Sequence, residues 1–319
     1  MILERIHELM RYETAGDPVT GLKWTRKTTK KLAVELAQYR IHISPNTVGR
    51  LLKALDYRLR VNYKANESGN RKPVDPLRRD EQFRYIKSRR IEFGRRGHPV
   101  ISVDSKKKEL IGNFKNAGRS WQREPIRVND HDFHIDAEGR AIPYGIYDEQ
   151  QNRGYVVIGT SYETPAFAVD SIVEWWCKIG RKSYPNAQEL LILADCGGAN
   201  GYRSRAWKYR LYRELCEPYE LSVTVCHYPP GASKWNPVEH RLFSEISKNW
   251  AGRPLTSYET VLKYIRTTRT EAGLTVDAHL VNMIYEKGES VSTAQMATIP
   301  LAKNEQLPDW NYTIQSSRM

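Results

Sequence analysis

Short apolar runs bounded by turn-forming residues alternate with stretches of helical period between residues 100 and 226, a texture that few folds accommodate. The runs fall at 100–103, 141–147, 155–159, 190–194 and 221–226, and the helical patterns at 166–179 and 203–216. Three strands followed by alternating helix and strand predict a mixed α/β sheet with flanking helices, in which an antiparallel hairpin feeds a parallel portion. Two runs end in an acid: Asp104 closes Val-Ile-Ser-Val and Asp195 closes Leu-Leu-Ile-Leu-Ala. Both stand at the carboxyl ends of expected buried strands, where α/β sheets hold their ligands. An aspartate there also serves as a turn residue or helix cap, notably Asp195 before Cys-Gly-Gly-Ala-Asn-Gly. That glycine-rich stretch lacks the Gly-Lys-Ser/Thr of a P-loop.

A third acid follows the last run. The strand ends in Pro229-Pro230 and a helix is expected to start near Pro237, which puts Glu239 in its first turn. An acid there gains from the helix dipole. Two strand-end aspartates and a helix glutamate also make an all-oxygen cage for Mg²⁺ or Mn²⁺. Two such ions about 3.5–4 Å apart would activate a water or a 3′-hydroxyl and steady the leaving oxygen in phosphodiester displacement. His131, Asp132 and His134, in an expected polar loop, are a lesser metal candidate. The four cysteines, Cys177, Cys196, Cys216 and Cys226, form no C-x-x-C pair and read as small core residues.

Charge divides the chain. Residues 1–100 hold 23 Lys and Arg against 11 Asp and Glu, so they carry +12 of the net +13. Such a basic N-terminal third beside a near-neutral remainder fits a polyanion-binding module, or a basic surface that serves solubility alone. Within it, Thr29 is expected to cap a helix with apolar Leu32, Val34, Leu36 and Ala37, followed by a polar break at 38–44. Ser44 then caps a second helix with Pro45 at its first position and a stripe of Val48, Leu51, Leu52 and Leu55. Asn46, Thr47, Arg50 and Lys53 lie near its start, the layout of a helix-turn-helix with its reading helix second. Residues 62–76 read as a linker, and 80–93 as a basic amphipathic helix with Arg84, Lys87, Arg89 and Arg90. The longest aliphatic run, 190–194, is far short of the roughly 20 residues a membrane span needs, and MILERIHELM has no signal-peptide core. A cytoplasmic, nucleoid-associated protein is expected.

The segment Pro229-Pro230-Gly-Ala-Ser-Lys-Trp-Asn236-Pro237-Val-Glu239-His240 is similar to the proline-rich motif before the third acidic residue of mariner-related insertion-sequence transposases. Pro99-Val-Ile-Ser-Val-Asp104 with the following Ser-Lys-Lys-Lys-Glu-Leu-Ile-Gly-Asn-Phe-Lys-Asn, Leu193-Ala-Asp195-Cys-Gly-Gly-Ala-Asn-Gly and the late Trp310-Asn-Tyr-Thr-Ile resemble the Rhodopirellula-type transposase DDE family. The resemblance spans essentially residues 20–315. It implies an RNase H-like core, two-metal DNA strand transfer and the triad Asp104, Asp195 and Glu239, with residues 20–60 contributing to binding of the terminal inverted repeats. Two departures accompany it. The step from Asp195 to Glu239 is longer than in most mariner relatives, and the family's further upstream helix-turn-helix region has no counterpart, so the chain is expected to begin after it.

The expected organisation is a helical DNA-binding region at 1–61, a linker and basic helix at 62–96, an RNase H-like catalytic domain at 97–285 and an extended tail at 286–319. The expected function is metal-dependent cleavage and strand transfer of double-stranded DNA at transposon ends, by a homodimer or higher oligomer on DNA. Lys106 and Lys107 read as phosphate contacts or as part of a solvated hairpin, and Trp235 as a stacking surface for an unpaired base or as a core-filling ring. A nuclease on the same core that never joins strands, or an inactive transposase remnant that only binds DNA, remains open on the sequence.

Overall fold

A computed structural model describes residues 2–11, 14–16, 23–25, 28–57, 75–119, 124–129 and 137–316. The chain divides into two compact units, residues 1–65 and 66–319. The first contains α1 (Ile2–Arg11), a two-stranded antiparallel ribbon of β1 (Thr14–Gly16) and β2 (Lys23–Thr25), α2 (Thr29–Gln38) and α3 (Pro45–Ala54). Thr28, one residue before the expected cap, accepts from the Lys31 N–H at the start of α2, and Ser44 accepts from Thr47 N–H at the start of α3. Ile6, Leu32, Leu36 and Val48 form the buried centre, with Leu51, Leu52 and Leu55 packed around it. Val34, expected among the core positions, is 61% exposed. It stands two residues from both Leu32 and Leu36, so a 3.6-residue period turns it to the opposite face.

The second unit opens with α4 (Pro76–Arg95), followed by β3 (Val100–Ser105), β4 (Glu109–Ile111), β5 (Gly139–Asp148) and β6 (Arg153–Gly159). Helix α5 (Pro165–Trp175) runs through a π turn into α6 (Arg181–Ser183) and leads to β7 (Glu189–Ala194). Next, α7 (Arg205–Arg210) continues through a second π segment into α8 (Glu217–Tyr219), which leads to β8 (Ser222–His227). A third π segment, Val238–Phe243, opens α9 (Ser244–Asn249), and α10 (Tyr258–Arg266), β9 (Thr275–Val281), α11 (Thr293–Ala297), β10 (Leu301–Lys303) and β11 (Asn311–Ile314) complete the unit.

The sheet order is β10-β11-β8-β7-β3-β5-β6-β9, with β4 paired to β5. Its centre, β6-β5-β3-β7-β8, has β5 alone reversed, and this is an RNase H-like arrangement. Strands β7 and β8 are buried almost throughout, as their continuous apolar sequences require when both faces are covered. One face, with Ile101, Val103, Tyr144, Ile192 and Val225, packs against Phe167, Trp175, Trp207 and Leu211. On the other face Tyr147, Val156 and Ile158 meet Leu242, Phe243, Val261 and Ile265.

The stretch expected as a linker and basic amphipathic helix is, from Pro76 on, part of this sheet unit. Ile86 and Phe93 of α4 are buried with Val100, Leu191, Leu193 and Cys226, each contributing about 1.5–3 kcal/mol by burial. Gln82, fully buried, exchanges two hydrogen bonds with the Asn311 amide (2.8 and 2.6 Å) and donates to the His227 carbonyl at 2.8 Å. Residues 286–316, expected as an extended tail, instead add β11 antiparallel to β8 and β10 beyond it. Part of the expected linker, 62–74, lies outside the described residues. All four cysteines are free, and Cys216 and Cys226 are buried. Among the described residues no helix is long and apolar enough to cross a membrane.

Candidate active site

Strand register makes Asp104 and Asp195 neighbours. Strands β3 and β7 are parallel with Val103 opposite Ala194, so the next residue of each chain falls at the same end of the sheet. Asp104 is also opposite Gly145 of β5. Glu239 arrives from β8, which runs parallel to β7 and releases the chain at the same end. After Pro229-Pro230 the chain forms a 3₁₀ turn, Ser233–Trp235, and then the π segment whose first turn carries Glu239. That segment lies against β5 where Gly145 has no side chain: a Cβ there would stand 2.4 Å from Phe243 and 3.1 Å from Val238.

A buried latch fixes this approach. Asn236, fully buried, donates through Nδ2 to the Val103 carbonyl at 3.1 Å and to Asp195 Oδ1 at 3.3 Å. Its Oδ1 accepts from the Ser102 hydroxyl, which itself accepts from the Val238 N–H at 2.8 Å. The Asn236 carbonyl accepts from the Glu239 N–H at 3.0 Å. Two polar side chains thereby join the strand of Asp104, the carboxylate of Asp195 and the backbone of Glu239. Behind Asp195, its carbonyl accepts from Nδ1 of buried His227 at 2.8 Å, leaving Nε2 to accept from the Tyr312 hydroxyl at 3.1 Å. Burial pushes His227 down to about 4, so it stays neutral.

Burial raises all three acids, and neighbouring charge raises the two aspartates further. Burial, then the charges of Asp195 and Glu239, push Asp104 up to about 8, even though the Ser105 N–H donates to its Oδ1 at 2.7 Å. Burial and then Glu239 push Asp195 up to about 6. Burial raises Glu239 too, opposed by Lys106 and by a hydrogen bond with Asp104. Lys106 is turned inward, 2.6 Å from Glu109 and 4.7 Å from the Trp250 ring centroid. Lys107 is exposed, and Lys108 lies 3.8 Å from Glu163. The Lys106–Lys108 stretch joins two strands lying end to end along β5. Among the described residues no three His, Cys, Asp or Glu side chains already converge on one metal position. An all-carboxylate set with a deficit of positive charge nevertheless fits a hard divalent cation.

Trp235 is 54% exposed, edge-on to Phe83 at 6.1 Å, with Lys234 5.4 Å from its ring centroid. In the N-terminal unit Asn46, Arg50 and Lys53 are exposed on α3. The Thr47 hydroxyl contacts Ser44 Oγ at 3.0 Å and accepts from Arg50 at 3.4 Å. His131, Asp132 and His134 lie outside the described residues. Sequence reasoning missed Ser102, Asn236, Gly145 and His227. Ser102 left a signal, being one hydroxyl inside an otherwise apolar buried run.

An RNase H-like sheet with Asp104 and Asp195 at the carboxyl ends of β3 and β7, and Glu239 in the segment after β8, suits phosphodiester chemistry. The Rhodopirellula transposase DDE domain family model matches residues 5–316, and the chain belongs to that family. It is a DDE transposase. Among solved structures it is similar to the Mos1 transposase paired-end complex with left transposon end, at 15% identity and TM-score 0.45 over 82% of this chain and 69% of that one. It is also similar to the Mos1 Strand Transfer Complex, at 16% identity and TM-score 0.45 over 82% and 68%. A Mos1 mariner paired-end complex with Mn gives 14% identity and TM-score 0.43 over 82% and 69%. No curated protein matches the chain.

Proposed function

We propose that Asp104, Asp195 and Glu239 are the catalytic triad with which this transposase cuts and joins double-stranded DNA at the terminal inverted repeats of an insertion sequence. The observation that carries this reading is the placement of Asp104 and Asp195 side by side at the ends of parallel β3 and β7, with the backbone of Glu239 tied to both strands by the Ser102–Asn236 latch, in a setting where burial raises all three acids. Such an arrangement costs stability until a cation enters. The three carboxylates would hold two Mg²⁺ or Mn²⁺ ions, which when bound supply Lewis-acid polarisation of the phosphate and a more acidic attacking water or 3′-hydroxyl. Lys106 tempers the charge of Glu239, Asn236 orients Asp195, and the exposed face of Trp235 offers a stacking surface for an unpaired base at the cut end. Lys107 would touch backbone phosphate. On α3, Asn46 and Arg50 would read base edges with Thr47 steadying Arg50, and Lys53 would contact phosphate.

Joining two ends calls for at least two copies, so a homodimer or higher oligomer assembles on DNA, in a bacterial cytoplasm and at the nucleoid. The test is joining of a pre-cleaved 3′ end to target DNA by the purified chain, with an end sequence taken from inverted repeats flanking the gene. Joined product with Mg²⁺ or Mn²⁺ and none in EDTA is expected. Turnover in EDTA, or cutting without joining, would overturn the assignment.

A further inference from the structure

On the side of the site where β11 joins β8, a cavity of about 290 Å³ is lined by Tyr202, Arg203, Lys208, Lys303, Asp309 and Tyr312. Three cations and two tyrosine rings face a single carboxylate. Among the described residues none of the three cations has a carboxylate within ion-pair distance. Lys208 is half-buried: its Nζ donates to the Tyr202 carbonyl at 2.5 Å and stands 5.0 Å from the Tyr312 ring centroid. Burial and the charge of Lys303 push its pKa down, against a smaller opposing pull from Asp309. The cavity is thus short of negative charge.

It is also wired to the acids. The loop that leaves Asp195 reaches the cavity at Tyr202 and Arg203, with Asn200 on the way holding the Tyr144 hydroxyl at 2.8 Å. From the other side Tyr312 donates to His227, whose Nδ1 holds the Asp195 carbonyl. A cavity of this size, roughly the lower end of ordinary ligand pockets, admits one nucleotide but not the face of a duplex.

We infer that this cavity takes one unpaired nucleotide of a DNA strand, its phosphate set among Arg203, Lys208 and Lys303 and its base against the Tyr202 ring. The cations supply the electrostatic attraction that any phosphate feels, and an aromatic wall adds base stacking without sequence preference. The inference rests on the reading that the chain acts on DNA, and it adds a second place, besides the carboxylates, where a strand is gripped.

The test is photo-crosslinking of the full chain, in EDTA, to a single-stranded oligonucleotide carrying 5-iodouracil, with adducts mapped by mass spectrometry and duplex binding followed by anisotropy. An adduct at Tyr202 is expected. Lys303→Glu and Arg203→Glu should reduce it about five-fold or more while duplex affinity changes by less than about two-fold. Asp309→Asn should increase it, a gain that misfolding cannot produce. No adduct on that peptide, or one indifferent to all three substitutions, overturns the inference. Displacement by inorganic phosphate as effective as that by thymidine monophosphate also overturns it, because the base would then contribute nothing. If the wild-type chain binds duplex but gives no adduct in the cavity, only this inference falls; if it binds no DNA at all, the proposed function falls with it.

Discussion

Asp104 sits under strain of a purely electrostatic kind. Its pKa in the folded chain, about 8, lies above the ordinary 3.8, so the folded state holds the proton more tightly than the unfolded one. Stability without metal therefore falls as pH rises between those values. Asp104→Asn, which keeps the shape of the protonated acid, should remove that slope and raise stability at neutral pH by about 1–3 kcal/mol. It should also abolish any rise in melting temperature on adding Mg²⁺. Thermal melts at several pH values, with and without Mg²⁺, check both, and a variant less stable than wild type at neutral pH would refute the repulsion. Asn236 works in the opposite sense. Asn236→Ala leaves the Ser102 hydroxyl without its acceptor and Asp195 without its donor, a cost of about 1–3 kcal/mol in stability. Strand cleavage should fall much further than that loss of folded protein explains, and a variant with wild-type cleavage would show that the latch positions nothing.

At the scale of elements, the glycine at position 145 decides how closely the Glu239 segment approaches the sheet. Gly145→Ala drives a methyl group into Phe243 and Val238, costing about 1–3 kcal/mol in overpacking. Cleavage should drop sharply while affinity for DNA persists; unchanged cleavage would mean that the segment shifts freely. On α3, Arg50→Ala should cost about 1–3 kcal/mol on the cognate end and relax sequence preference, measured by competition against random duplex. Equal weakening on both would make Arg50 a phosphate contact. The central strands were legible because each is a local run with a turn on either side, and Asp104 and Asp195 because they end such runs. Helix α4 was legible as a helix but its burial was not, because its buried positions Gln82, Ile86 and Phe93 are spread among arginines. Strand β9 reads Thr-Val-Asp-Ala-His-Leu-Val, an alternation suited to a half-buried edge, and its pairing with β6 lies more than a hundred residues away. The Ser102–Asn236 bond spans 134 residues and is set by packing that no local pattern encodes.

For the whole molecule, the uneven charge located a basic module but not its boundary. The basic stretch crosses from the N-terminal unit into α4, and α4 is built into the sheet unit, where Arg90 pairs with Glu149 and Arg89 with Glu92. The late segment belongs to the sheet as well, since Asn311 is tied to Gln82 and Tyr312 to His227. The setting of Asp195 therefore depends on both ends of the sheet unit. Asp104 and Asp195 at the carboxyl ends of β3 and β7, with Glu239 in the segment after β8, are proposed to cut DNA with a divalent cation. The most direct measurement pairs Mg²⁺-dependent nicking of a plasmid carrying the element's ends with anisotropy on the same end sequence, for the wild type and for Asp104→Ala, Asp195→Ala and Glu239→Ala. Each substitution should abolish nicking and leave end affinity within about two-fold, because each empties the cation site without touching α3; nicking at the wild-type rate by any one of the three would contradict the account.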